Sequence, residues 1–168
     1  LNILFLVDKL LRRKKLALCR VIEFDKEKRI EGLDWPANAD TMIGLKRINN
    51  IEYCVEQVIN NNVPGDLIET GVWRGGATIF MKALLKNANI NNRVVWVADS
   101  FEGLPKPNAK KYKADIKDKH YQYKELAVSL EIVKKNFEKY DLLDDNVRFL
   151  KGWFKDTLPT APINQLAL

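Results

Sequence analysis

Through residues 1–21 apolar side chains recur at helical spacing among Arg and Lys, so a single amphipathic accessory helix is expected there. Residues 23–40 are polar and contain Trp35-Pro36; a proline disfavours helix at the residue before it, and this stretch reads as a connecting loop. Ile48, Ile51, Val55, Val58 and Ile59 then share one face of a second helix. Asp40 or Thr41 is its expected cap, because a short oxygen-bearing side chain accepts from the free amides of a first turn.

After the turn signal Pro64-Gly65 the period changes. Residues 66–70 read as a short strand running into a glycine loop, and a helix follows over residues 76–86. Residues 94–98, VVWVA, are apolar without alternation, the pattern of a parallel strand covered on both faces. Leu126, Leu130, Val133, Phe137 and Tyr140 mark a further helix and residues 147–150 a third strand. Strands alternating with helices make the class α/β. INQLAL at residues 163–168 reads as the first half of another buried strand; with Leu1 in place of Met, a fragment of a longer protein is expected. The expected division is an accessory helix and linker over residues 1–39 and one domain over residues 40–168.

Composition narrows the function classes. With 46% hydrophobic and 30% charged residues the chain is an ordinary globular sequence. Its apolar stretches fall short of the roughly 18–20 residues of a membrane span, and no secretory signal is evident. No membrane partner and a cytoplasmic location are expected. Cys19 and Cys54 have no Cys or His at metal-ligand spacing and read as structural thiols. Of the net charge of +6, residues 106–124 supply seven Lys against two Asp, and residues 1–33 nine Lys or Arg against five acids. Neither segment shows a nucleic-acid motif, so both read as solvated surface and no nucleic-acid partner is expected.

The chemistry concentrates in Glu69-Thr70-Gly71-Val72-Trp73-Arg74-Gly75-Gly76, a strand end, a loop with three glycines and a helix start. Such a loop lets backbone approach a ligand closely while helix amides face a negative group; a merely tight turn is the alternative. Its G-x-x-x-G-G spacing departs from the dinucleotide pattern G-x-G-x-x-G. Asp99 stands at the carboxyl end of VVWVA, where an acid can take both hydroxyls of a ribose; with Ser100 it reads alternatively as a turn residue.

Four stretches, DWPANADTMIGLKRINN, VPGDLIETGVWRGGA, VVWVADSFEGLP and VRFLKGWFKDTLPTAP, resemble the macrocin O-methyltransferases, which methylate sugar hydroxyls in natural-product pathways. The resemblance runs from about Asp34 to Leu168. It implies the class I methyltransferase fold: a Rossmann-like, doubly wound, mostly parallel sheet flanked by helices, here truncated near the fourth strand. It also implies S-adenosylmethionine as cofactor. Glu69, Gly71, Gly75 and Gly76 would line its methionine part, with Thr70, Val72 and Trp73 in the same loop, and Asp99 would hold its ribose beside Ser100. Gly152, Trp153 and Phe154 fall where related enzymes place adenine; ordinary core is the other reading of the two rings. Asp156 reads equally as an acceptor for the adenine amino group or as a helix cap. Thr41 and Met42 are either a wall near the sulfonium centre or a cap and a core methionine. Arg74 is a candidate partner of the cofactor carboxylate, and His120, in a segment resembling a lid, a candidate base with a surface histidine as its alternative.

Family members carry acids after the fourth and fifth strands that resemble a magnesium site and a catalytic base. The chain stops before the first of them, so no catalytic residue or metal ligand is named and magnesium is expected of the full-length protein only. The acceptor is a small molecule with a sugar hydroxyl, and a homo-oligomer is left open. Two rival readings stand beside this one: an NAD(P)-binding dehydrogenase domain, and a non-catalytic module holding an acidic partner.

Overall fold

A computed structural model describes residues 11, 23–36 and 38–168; the helix expected over residues 1–21, with Cys19, lies outside the described residues. The stretch expected to be loop contains a short helix, α1 (Lys26–Glu31). Local signals explain it: the Asp25 side chain accepts from the Lys28 amide at its start, and Gly32, at φ 72°, ends it. α1 buries no residue, which is why hydrophobic periodicity does not reveal it.

α2 (Leu45–Asn60) starts later than Asp40 or Thr41 would place it, and its cap position is Gly44, without a side-chain hydrogen bond. Both expected caps are engaged elsewhere: the Asp40 carboxylate accepts from Lys139 and Tyr140, and Thr41 Oγ1 accepts from the Ile43 amide. Val55 and Val58 are the buried residues of α2.

Three parallel strands, β1 (Leu67–Thr70), β2 (Val95–Asp99) and β3 (Val147–Lys151), lie in the order β1-β2-β3, with Leu67 opposite Val95 and Val95 opposite Val147. The chain then returns to the free edge of β1. Asp66 and Leu166 form a parallel bridge, the Ala167 amide donates to Asp66 O at 2.8 Å and the Ile68 amide to Leu168 O at 2.9 Å. The pairing expected of INQLAL is present as this single bridge, and the winding reverses there; the burial expected of it is not, since Leu166 and Leu168 are exposed on the outer edge of β1. Open α/β sheets bind ligands at the carboxyl ends of the strands flanking such a reversal.

Val95, Val97 and Ala98 are fully buried and Trp96 is nearly so, as a strand covered on both faces requires. In one core cluster Leu67 and Val95 pack with Val55 and Val58 of α2 and with Met81 and Leu85 of α3 (Gly76–Asn87). In a second, Val97 and Val147 pack with Ile79 and with Val133 and Phe137 of α4 (Leu130–Lys139). Leu126, expected on the α4 stripe, lies instead in a 3-10 turn, because the Ser129 side chain accepts from the Ile132 amide and starts the helix there. α5 (Phe154–Thr157) likewise begins before Asp156, so Asp156 sits inside it and is not its cap. No helix among the described residues is long and apolar enough to cross a membrane.

Candidate functional site

The loop after β1 takes positive φ at Gly71 (85°), Trp73 (51°) and Gly75 (84°), which lets it turn from strand to helix within a few residues. The three glycines serve different needs. A Cβ on Gly71 would meet no atom within 4 Å, so Gly71 faces open space where a ligand can approach. One on Gly75 would lie 2.9 Å from Val133 Cγ1, and one on Gly76 would strike the Asp40 carbonyl and come within 2.7 Å of Thr41 Cβ. The Gly76 amide donates to that carbonyl at 2.8 Å, so this helix-start donor is taken by the chain itself.

Asp99 ties the three loops at the carboxyl end of the sheet together. Its Oδ2 accepts from the Val72 amide at 2.8 Å, its Oδ1 from the Phe101 amide at 2.8 Å, and its carbonyl from the Gly152 amide at 2.9 Å. Ser100 is buried and its hydroxyl donates to Gly103 O at 2.9 Å. Asp99 is thus the turn residue of the DSFEG stretch, and its carboxylate still has acceptor capacity, since two carboxylate oxygens offer about four lone-pair sites.

Glu69, near the end of β1, accepts from the hydroxyl of fully buried Thr78. Burial pushes its carboxyl up to about 7, and the charge of Asp99 adds to this; the Thr78 hydroxyl and amide and the Arg47 charge act the other way. A buried acid with so raised a pKa at the switch point marks a candidate functional site.

On the β3 side, Trp153 and Phe154 line a cavity of about 490 Å³ with Pro105, Lys106 and Lys155. Phe154 is 40% exposed, which decides against a core role for it. Asp156 is exposed on α5, beside Lys155. Gly152 reaches its φ of 143° under Thr157, whose Cγ2 would be 2.8 Å from a Cβ there.

Trp73 and Arg74 are half-buried, and Trp73 packs against the core cluster around Val133 and Phe137. The Trp73 indole donates to Glu125 O at 2.8 Å and lies 4.4 Å from the Arg74 guanidinium, which donates to Ala39 O at 2.9 Å. Met42 is half-buried; its carbonyl, like that of Ile43, accepts from Arg29. His120 is exposed, held by Asp118, with its ring 5.9 Å from that of Tyr123. Among the described residues no three His, Cys, Asp or Glu side chains converge as a metal site.

Sequence reasoning missed Thr78, Arg47, Pro105 and Lys106. Thr78 carried a usable signal, a hydroxyl in the first turn after the glycine loop; the others become neighbours only through the sheet order.

A glycine loop after β1, an acid ending β2 and a reversal beside β1 define a doubly wound nucleoside-binding domain, and its solved relatives make it that of a class I methyltransferase. Solved methyltransferases share it: the O-methyltransferase NovP superposes with a TM-score of 0.79 at 58% identity, over 84% of this chain and 59% of that one. The calicheamicin methyltransferase CalS11, at 18% identity and a TM-score of 0.52, shares the fold alone. The chain belongs to the macrocin-O-methyltransferase (TylF) family, whose model matches residues 3–168. It is 60% identical over 146 residues to demethyldecarbamoylnovobiocin O-methyltransferase of Streptomyces niveus, covering 86% of this chain and 56% of that protein. It is 52% identical over 148 residues to mycinamicin III 3''-O-methyltransferase of Micromonospora griseorubida, covering 86% and 58%. The chain therefore spans little more than half the length of these relatives.

Proposed function

We propose that the full-length protein is a cytoplasmic S-adenosylmethionine-dependent O-methyltransferase whose acceptor is a hydroxyl of a sugar or glycosylated natural product. The observation that carries this reading is the joining of Gly71, Val72, Asp99 and Gly152 at the carboxyl end of the sheet: an open glycine beside an acid with spare acceptor capacity. Asp99 would take the ribose hydroxyls, Glu69 the amino end of the methionine part, and the wall of Trp153 and Phe154 the adenine. Thr70, Gly75, Gly76 and Ser100 would hold the loops around it, and Met42 the nearby amino-terminal wall. When bound, S-adenosylmethionine supplies a methyl group on a sulfonium sulfur; this chain's residues bind and orient it.

The acceptor class rests on the named activities of the relatives, which include a tetracenomycin rhamnosyl 4'-O-methyltransferase of Streptomyces olivaceus at 55% identity. A sugar hydroxyl has a high pKa, so a base or a metal-bound alkoxide is needed, and we place both, magnesium included, in the full-length protein. The test is calorimetric titration of the full-length protein with S-adenosylhomocysteine, NAD serving as the control ligand, with and without magnesium. Micromolar binding of S-adenosylhomocysteine alone supports the reading; binding of NAD in its place overturns it.

A further inference from the structure

The segment before α2 lies directly against the glycine loop and is stitched down from several sides. At its amino end the Asp40 carboxylate, only 15% exposed, accepts from Lys139 Nζ at 2.8 Å and from the Tyr140 hydroxyl at 2.6 Å. The Asp40 carbonyl accepts from Gly76, and the Ala39 carbonyl before it from Arg74. At its other end Arg29 donates to the carbonyls of Met42 and Ile43 and pairs with Asp34. Thr41 is thereby fixed on the first residue of α3, and a few residues on Arg47 stands close enough to act on Glu69.

Lys139 and Tyr140 end α4, and neither lines the cavity walled by Trp153 and Phe154. Both nonetheless converge on one carboxylate oxygen across about 100 residues of chain. A stripped surface pair would gain little from such an arrangement. Here the acceptor is mostly buried and its own backbone is bonded to the glycine loop, so the arrangement fixes a position.

We propose that Asp40 is a positioning residue: by holding residues 39–43 on Gly76, it sets the wall that Thr41 and Met42 present to the cofactor. The inference rests on the cofactor reading above. Asp40 touches no reacting atom and acts through the segment it anchors.

The test uses the full-length protein and S-adenosylhomocysteine titrations well below the melting temperature. Asp40→Ala is expected to weaken binding about tenfold, since a wall no longer held in place must be ordered when the cofactor binds. Asp40→Asn, which keeps one acceptor oxygen, is expected to recover most of the affinity. The double variant Lys139→Ala/Tyr140→Phe removes both donors from the far side and is expected to match Asp40→Ala; it also serves if Asp40→Ala does not fold. A merely structural contact would lower the melting temperature of each variant and leave the dissociation constant unchanged, and that result overturns the proposal. Failure of the wild type to bind S-adenosylhomocysteine would instead sink the cofactor reading and the proposal with it.

Discussion

The Val72 amide donates to Asp99 Oδ2 at 2.8 Å, so the residue after the first glycine of the loop is held by the acid that ends the neighbouring strand. Asp99 also takes the Phe101 amide, and one carboxylate sets the shape of two loops. Removing it therefore has two effects. In the full-length protein, Asp99→Ala is expected to weaken S-adenosylhomocysteine binding by about 1–3 kcal/mol through lost charge-assisted hydrogen bonds. It is also expected to lower the melting temperature, because two amides lose their acceptor. Calorimetry and thermal unfolding on one preparation separate the two; unchanged affinity with a lowered melting temperature would leave Asp99 a turn residue only.

Glu69 supplies a pH dependence with a definite sign. Its folded carboxyl is raised from 4.5 to about 7, so between those values the folded state holds more protons than the unfolded one. Stability is full below about 4.5, falls as pH rises towards 7 and then levels. Melting curves across this window are expected to show that decline in the wild type and a flatter course in Glu69→Gln. If the ionised form meets a cationic cofactor group, affinity rises with pH through the same window and binding near pH 7 releases protons. Titrations in buffers of different ionisation enthalpy measure that release, and none at all would detach Glu69 from the ligand.

Much of this was legible in the chain because the signals are local. VVWVA announces a strand buried on both faces, the glycines announce a tight strand-to-helix turn, and INQLAL announces the strand start found bridging Asp66. Caps were less legible because they depend on competition. Asp40 and Thr41 have the right side chains for a helix start, but tertiary partners claim them and α2 begins at Gly44-Leu45 instead. α1 escaped notice because it buries nothing, and Lys82, nearly fully buried, because no local pattern marks a lysine whose partner, Asp144, lies far along the chain.

The glycines offer a contrast between ligand space and chain space. Gly71→Ala meets no atom and costs only the strain of its positive φ, about 1–2 kcal/mol. Gly76→Ala drives a methyl group into the Asp40 carbonyl and must displace the 39–43 segment. The expected order is therefore that Gly76→Ala lowers the melting temperature more, and that Gly71→Ala loses more S-adenosylhomocysteine affinity for each degree lost. Unchanged affinity in Gly71→Ala would mean that the open face at Gly71 is not the ligand's.

Lys82 tests whether a buried charge or a buried stem stabilises α3. Its side chain is 4% exposed and its ammonium lies 2.8 Å from Asp144 Oδ2, while Asp144 itself is 53% exposed. Deleting the charge thus leaves Asp144 a carboxylate that water can solvate, and the usual cost of an orphaned buried ion does not arise. Lys82→Met keeps an apolar stem of similar reach and is expected to cost less than about 1 kcal/mol in urea unfolding. Lys82→Ala removes that stem from between α3 and the start of β3 and is expected to cost about 2 kcal/mol or more. Equal losses in the two variants would assign the stability to the ion pair instead, and would require that the exposed side of Asp144 be covered in the full-length protein.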